Sequence, residues 1–182
     1  MIITGNRQLF AIVAEITQDP NDWILGSFQF VFHGESCGNW EDEADLRGCH
    51  SWLKDFSEKP RNRFEPELLV LPPSIVIERL VRPVVNRSDH ARMQEYYADT
   101  FSRFHIAHLG MSSFDRVNMV LIENSEQQRC VWEDILGEDP HDDVFPAGHM
   151  QQIAAAFCKL LESEVAALGG KLKCSPKIRP VA

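Results

Sequence analysis

Two segments near the start of the chain alternate large apolar side chains with a period of two residues. Residues 9–17 and 23–33 place an apolar side chain at every second position on one side of an extended strand. These side chains are Phe10, Ile12, Ala14, Ile16, Phe28, Phe30 and Phe32. The pattern predicts two β-strands, and the turn-forming residues 18–22 between them are so few that the strands must be antiparallel. The fold must therefore accommodate an N-terminal β-hairpin with a phenylalanine face.

A second hairpin is predicted further along the chain. Residues 116–123 and 129–132 are rich in β-branched and other apolar side chains, and they flank the polar turn 124–127. Residues 101–109 alternate more loosely, which also indicates a strand. These segments would extend the sheet that the first hairpin begins.

Apolar residues at helical spacing mark the remaining segments. The predicted helices are 43–56, 75–81 with Ser74 as its cap, a helix from Ser88 or Asp89 to about 99, and 153–168. The glycine pair at 169–170 is typical of a helix end. Together these elements predict an α+β fold, with a mainly antiparallel β-sheet built from two hairpins and with helices packed against it.

The length of the chain limits the number of domains. A chain of 182 residues, 44% of them hydrophobic, buries about 70% of its unfolded surface and normally forms one core. We expect a single domain over residues 1–170, followed by a flexible basic tail over residues 171–182. The core is expected to include Phe10, Ile12, Phe28, Phe30, Val120 and Phe157.

The sequence also indicates a cellular compartment. No apolar run approaches the ~20 residues that span a bilayer, and the first residues lack the basic and small-residue pattern of a secretory signal. The five cysteines are scattered, odd in number and free of any C-x-x-C pair, which argues against a disulfide framework. We expect a cytoplasmic protein that does not bind membranes.

Acidic side chains dominate the charge of the chain. Its formal net charge is -9 and its pI is about 5.2, which argues against nucleic-acid binding and favours either simple solubility or a basic partner. Residues 133–143 hold six carboxylates and no Lys or Arg. These carboxylates belong to Glu133, Asp134, Glu138, Asp139, Asp142 and Asp143, and a second acidic cluster consists of Glu41, Asp42 and Glu43.

The stretch 133–143 allows three interpretations. A solvated loop that only keeps the protein soluble is the plainest of them, because runs of charge usually face water. A calcium loop is excluded, because the D-x-[DN]-x-[DN]-G pattern and its terminal glutamate are absent. The third interpretation is a docking surface for a cationic partner, to which both acidic clusters would contribute.

The sequence lacks the common catalytic motifs. The sequence contains no P-loop, no dinucleotide-binding glycine motif, no H-E-x-x-H and no G-x-S-x-G. His105 and His108 would point to opposite faces of a strand, which disfavours them as a pair of metal ligands. Cys49 and His50, with Cys37 nearby, resemble fragments of a zinc site, but adjacent residues diverge on a helix, so one site cannot easily use both. We expect no enzyme activity and no cofactor, although a Cys–His pair assembled by the fold stays open.

Several short motifs resemble one family. The opening M-I-I-x-G-N-x-x-x-F-A-I-x-x-E-I over residues 1–16 and W-I-L-G-x-F over 23–28 are similar to the immunity protein 42 family of bacterial polymorphic toxin systems. F-D at 114–115, L-I-E at 121–123, R-x-x-W at 129–132 and V-F-P-A-G at 144–148 continue the resemblance. It implies a cytoplasmic protein that binds and neutralises a cognate toxin by stoichiometric protein–protein interaction.

Two other function classes stay open beside this one. A small enzyme or ligand-binding domain would have its site residues scattered along the sequence, and a deep pocket with convergent titratable groups would favour it. A scaffold subunit of a secretion system would carry a large exposed apolar patch. A charged docking surface would favour the immunity protein.

The first testable prediction concerns metals. Because no set of His, Cys, Asp and Glu residues has workable ligand spacing, we expect the purified chain to hold no stoichiometric transition metal and to fold without one. Elemental analysis of the purified protein, with unfolding followed in the presence and absence of a chelator, checks this. One zinc or iron ion per chain would contradict the prediction.

Overall fold

The computed structural model describes residues 1–17, 23–59, 61–83, 94, 102–106, 112–137, 139–170 and 172. The chain divides into two compact units. The first contains the described residues up to 58, residues 112–113 and those from 153 onward, and the second contains the described residues of 59–106 and 114–152. The single domain over 1–170 stays a prediction, and the tail 171–182 lies outside the described residues except for Leu172.

The first unit contains a five-stranded antiparallel sheet. Its strands are β1 (Ile2–Gly5), β2 (Phe10–Ile16), β3 (Leu25–Phe32), β4 (Glu35–Cys37) and β5 (Ala44–Asp45). The strand order is β1-β2-β3-β4, and β5 pairs with β3. The register of β2 and β3 places Phe10 opposite Phe32, and Ala14 opposite Phe28. The predicted N-terminal hairpin is confirmed, because this pairing brings the alternating apolar residues of both strands to one face.

Phenylalanine rings form the centre of this core. Phe10 and Phe30 meet edge to face with centroids 5.5 Å apart, and Phe28 meets Phe157 in the same way at 5.7 Å. Such arrangements place ring edges against ring faces and add to the burial of apolar area. All six residues predicted for the core, including Val120 in the second unit, are at most 2% exposed.

Two helices contribute to the first unit. Helix α1 (Leu46–Glu58) buries Leu46, Cys49, Leu53 and Phe56 at helical spacing, and it starts later than predicted because residues 44–45 form β5. The final helix, α3 (His149–Ala167), ends as expected at the glycine pair. Gly169 has a φ of +79°, and the amide of Gly170 donates to the carbonyl of Val165 at 2.9 Å. This is the usual way to satisfy the last carbonyls of a helix.

The second unit is built on a three-stranded antiparallel sheet. Its strands β6 (Val117–Glu123), β7 (Gln127–Asp134) and β8 (His141–Pro146) follow in the order β6-β7-β8, and helix α2 (Pro73–Leu80) belongs to the same unit. The second predicted hairpin is confirmed as β6 and β7. The α+β class and the antiparallel pairing are therefore both confirmed, with the two hairpins in separate sheets.

Some local expectations were wrong. Residues 133–143 are not one loop, because β7 extends to Asp134 and β8 begins at His141. Helix α2 begins at Pro73 with Pro72 in the cap position, in place of Ser74, because a proline in the first turn lacks only an amide that the helix does not use.

The expected strand over 101–109 is also wrong within the described residues. Ser102–Phe104 form a 3₁₀ turn, and His105 makes one isolated bridge to Val120. The backbone carbonyl of Arg103 accepts a hydrogen bond from Nε of Arg63 at 3.0 Å, so a side chain takes an acceptor that a strand would offer to its neighbour. The predicted helix over 88–99 lies outside the described residues, apart from Gln94.

Among the described residues, no helix is long and apolar enough to cross a bilayer.

The core arrangement predicts the effect of removing one ring. Phe30 is 2% exposed and packs against both Phe10 and Phe28, so Phe30→Ala should lower the free energy of unfolding by about 3–5 kcal/mol. Phe64, which is 45% exposed, supplies the matched control, and Phe64→Ala should change stability much less. Urea unfolding of both variants measures this, and equal losses would contradict the assignment of the core.

Candidate functional site

The carboxylates of the stretch 133–143 form two groups, one bonded to arginines of the second unit and one exposed to solvent. Glu133 belongs to the first group. It is 4% exposed and lies on β7. Its Oε2 accepts a hydrogen bond from Nη2 of Arg82 at 2.8 Å, and its Oε1 accepts one from Nδ2 of Asn118 at 2.8 Å. A buried carboxylate needs such partners, because an unpaired charge away from water is strongly unfavourable. Glu133 therefore serves the interior of the second unit.

Asp142 is also committed to an internal partner. Its Oδ2 accepts a hydrogen bond from Nε of Arg129 at 2.7 Å. Nη1 of the same arginine, which is 5% exposed, donates to the backbone carbonyls of Leu68 at 2.8 Å and Leu71 at 2.7 Å. One buried guanidinium thus joins β7, β8 and the segment before α2.

The exposed group lies at the turn between β7 and β8. Asp134 and Asp139 are exposed and make up this group as far as it is described, and Glu138 lies outside the described residues. Asp143 instead lies within β8, where it is half-buried and its Oδ2 is shielded from solvent. Nη2 of Arg116 donates to both carboxylate oxygens of Asp134 at 3.0 Å, but this pair is solvated and contributes little to stability. We call residues 134–139, as far as they are described, the hairpin tip.

The backbone of the hairpin tip is held by short hydrogen bonds. The amide of Ile135 donates to the carbonyl of Arg116 at 2.8 Å. The amide of Leu136 donates to Oδ1 of Asp134 at 2.9 Å, and the amide of Gly137 donates to the carbonyl of Asp134 at 2.9 Å. This arrangement turns the side chains of Ile135 and Leu136 into solvent, where they are 48% and 74% exposed.

Sequence reasoning missed Ile135 and Leu136. It treated the stretch 133–143 as an acidic segment and gave no role to its aliphatic residues. The available signal was the presence of two adjacent large aliphatic side chains among six carboxylates, since such side chains are normally buried.

The second acidic cluster lies in the first unit, between β4 and β5. Glu41 and Glu43 are exposed, whereas Asp42 is half-buried. The amide of Glu41 donates to Oδ1 of Asn39 at 3.3 Å, and the amide of Asp42 donates to the carbonyl of Asn39 at 3.3 Å. The two acidic clusters thus belong to different units, and their joint use stays a prediction.

A polar pocket of about 470 Å³ is formed by residues 61–64 and 123–125 of the second unit. Its carboxylate, Glu123, accepts hydrogen bonds from Nη1 of Arg63 at 2.8 Å and from the side-chain amides of Gln128 and Gln151 at 2.6 and 2.9 Å. Burial lowers the pKa of Arg63, and the bond to Glu123 opposes that shift. Glu123 is thus occupied by structural partners and is poorly placed to act as a general base.

Cys158 and His50 in the first unit are close, but they are not arranged as a nucleophile and its base. Sγ of Cys158 contacts the backbone carbonyl of His50 at 3.6 Å, whereas the ring Nε2 of His50 lies 2.8 Å from Glu162. Burial, with a smaller effect of the Glu162 carboxylate, raises the pKa of the Cys158 thiol to about 12. A thiol with that pKa is protonated near neutral pH and is a poor nucleophile.

Within the described part of the chain, no three or more His, Cys, Asp and Glu side chains are grouped so that they could hold a metal ion.

The buried arginine generates a prediction about stability. Arg129→Gln should lower the free energy of unfolding by about 3–5 kcal/mol, because it leaves two carbonyls and a carboxylate without their shared partner. The matched control is Arg79→Gln, since Arg79 pairs with Glu67 at 3.1 Å on the surface, and it should cost less than about 1 kcal/mol. Denaturant unfolding of both variants measures these changes. Similarly small losses of unfolding free energy in both variants would show that Arg129 is not a structural support.

The comparisons with known proteins bear on fold and family. The fold is similar to that of a solved structure described as the crystal structure of CdiI from Burkholderia dolosa AUO158. The identity is 14%, the TM-score is 0.67, and the match covers 85% of this chain and 97% of the other. No curated protein matches. The model of the family described as immunity protein 42 matches residues 1–159. The chain therefore belongs to the immunity protein 42 family.

Proposed function

We propose that this chain neutralises its cognate toxin by forming a stoichiometric complex and that it does so without catalysis, in the cytoplasm. Toxin neutralisation itself follows from membership of the immunity protein 42 family. The proposed mode of neutralisation is the binding of exposed acidic side chains to a basic surface of the toxin.

The observation that carries the proposal is the division of the carboxylates. Arg82 and Arg129 neutralise Glu133 and Asp142 within the second unit, whereas Asp134 and Asp139 face solvent at the hairpin tip. Asp134 pairs with Arg116, but that ion pair is open to solvent, so the exposed carboxylates of the hairpin tip can still attract a cationic partner from a distance. The proposed contact set is Asp134, Glu138, Asp139 and Asp143, together with Glu41, Asp42 and Glu43 of the other cluster.

The role that we propose for Glu133 and Asp142 differs from the one that the sequence predicts. The sequence predicts that they contact the partner directly, but their carboxylates are bonded to Arg82 and Arg129. We propose that they support the strands that present the hairpin tip. Neutralising Asp142 would therefore disturb the fold as well as the surface, so it is unsuitable for a test of binding.

Two further features support binding over catalysis. The carboxylate in the polar pocket is Glu123, which is bonded to Arg63 and two glutamines, and the thiol of Cys158 has a raised pKa. The net charge of -9 also makes nucleic acid an unfavourable partner, because its phosphates would be repelled.

Association kinetics test the proposal. The variant Asp134→Asn with Asp139→Asn keeps the turn, because an asparagine Oδ1 can accept the bond from Leu136. Its association with the product of the neighbouring toxin gene should be slower by roughly tenfold at low salt, with the difference shrinking at high salt. Stopped-flow fluorescence at two salt concentrations measures the rates.

A control of equal charge separates position from net charge. Glu78 and Glu164 are exposed on helices α2 and α3, so Glu78→Gln with Glu164→Gln changes the net charge by the same amount. The control should associate almost as fast as the unmodified chain. Equal rates for all three proteins, or equal slowing of both variants, would remove the hairpin tip from the interface.

A further inference from the structure

The hairpin tip exposes two adjacent aliphatic side chains that the fold does not use. Leu136 is 74% exposed and Ile135 is 48% exposed, and neither belongs to the core cluster of the second unit, which is centred on Leu80, Phe104 and Val131. A single exposed leucine is ordinary on a protein surface. Two exposed neighbours at the turn of a hairpin together present an apolar surface that a partner could bury.

The described backbone of the hairpin tip is held by hydrogen bonds within the chain. Three backbone amides, those of Ile135, Leu136 and Gly137, are bonded to Arg116 and Asp134. The turn is also tight at Gly137, where an added Cβ would come within 3.0 Å of Cβ of Asp134. A side chain presented on a fixed backbone loses less conformational freedom on binding, and more of its burial energy then appears as affinity.

The surroundings of the pair indicate what could cover it. Asp134 precedes the aliphatic residues and Asp139 follows them, and both carboxylates are exposed. A second copy of this chain would bring the same carboxylates against each other, and an anionic membrane surface would repel them. A surface that is apolar at its centre and cationic at its edge matches both features of the hairpin tip.

We propose that Ile135 and Leu136 are the apolar anchor of the complex, inserted into an apolar recess of the cognate toxin whose border carries Lys or Arg side chains. This inference rests on the proposed function and specifies the partner surface. The two features of the hairpin tip then act on different rates. The carboxylates speed the encounter, whereas the buried aliphatic side chains slow dissociation, as desolvated anchors at the centre of an interface do.

Dissociation rates test the anchor. Leu136→Ala, alone and combined with Ile135→Ala, should raise the dissociation rate from the neighbouring gene's toxin by roughly tenfold to hundredfold, the range expected for losing large buried side chains. The association rate should stay within about twofold of the unmodified value. Both variants should keep the unmodified unfolding midpoint, because the residues are exposed. Surface-binding kinetics with immobilised toxin give both rates.

Leu168→Ala is the matched control, since Leu168 is 54% exposed just after the end of α3, and it should leave dissociation unchanged. If the double variant dissociates at the unmodified rate while the charge variant still associates slowly, the anchor is wrong and the proposed function stands. If the unmodified chain forms no complex with the toxin, the proposed function itself is wrong.

Sedimentation of the chain alone tests whether the apolar pair binds a second copy of this chain instead of the toxin. We expect the unmodified protein and the Leu136→Ala variant to sediment alike. A self-associated species that Leu136→Ala disperses would assign the apolar pair to a second copy of this chain and would overturn the proposal.

Discussion

The guanidinium of Arg129 is the interaction on which the second unit most depends. Removing an arginine from water is unfavourable by several kcal/mol unless its donors find well-placed acceptors. Here the acceptors are the carbonyls of Leu68 and Leu71 and the carboxylate of Asp142. These partners are far apart in the sequence, so satisfying one charge fixes the segment before α2 against β7 and β8. The hairpin tip that joins β7 to β8 is held by separate backbone bonds to Arg116 and Asp134.

The same physical logic applies to other carboxylates of this acidic chain. Arg63 holds Glu123, and Arg82 holds Glu133. Arginines that are themselves wholly or partly buried use these acids as structural partners, whereas Asp134 and Asp139 at the hairpin tip are exposed. An acidic sequence thus supplies both internal supports and a charged surface, and the burial of each carboxylate decides which of the two it is.

The sequence could predict the elements whose pattern is local. The alternation of Phe28, Phe30 and Phe32 specifies a strand with one buried face, and the glycines at 169–170 specify a helix end. Strand β8 escaped prediction because Asp142 and Asp143 are poor strand formers, and pairing with β7 overrides that preference. The role of Glu133 escaped too, because its partner Arg82 is 51 residues away and only the fold brings them together.

The most direct test of the account is a calorimetric titration of the cognate toxin with this chain, with toxin activity measured on the same samples. Stoichiometric neutralisation predicts that heat is released until the two chains are equimolar and that activity falls in proportion, reaching its minimum at the same point. Complete loss of toxin activity at a small fraction of one equivalent, with no stable complex, would show that the chain acts as a catalyst and would contradict the account.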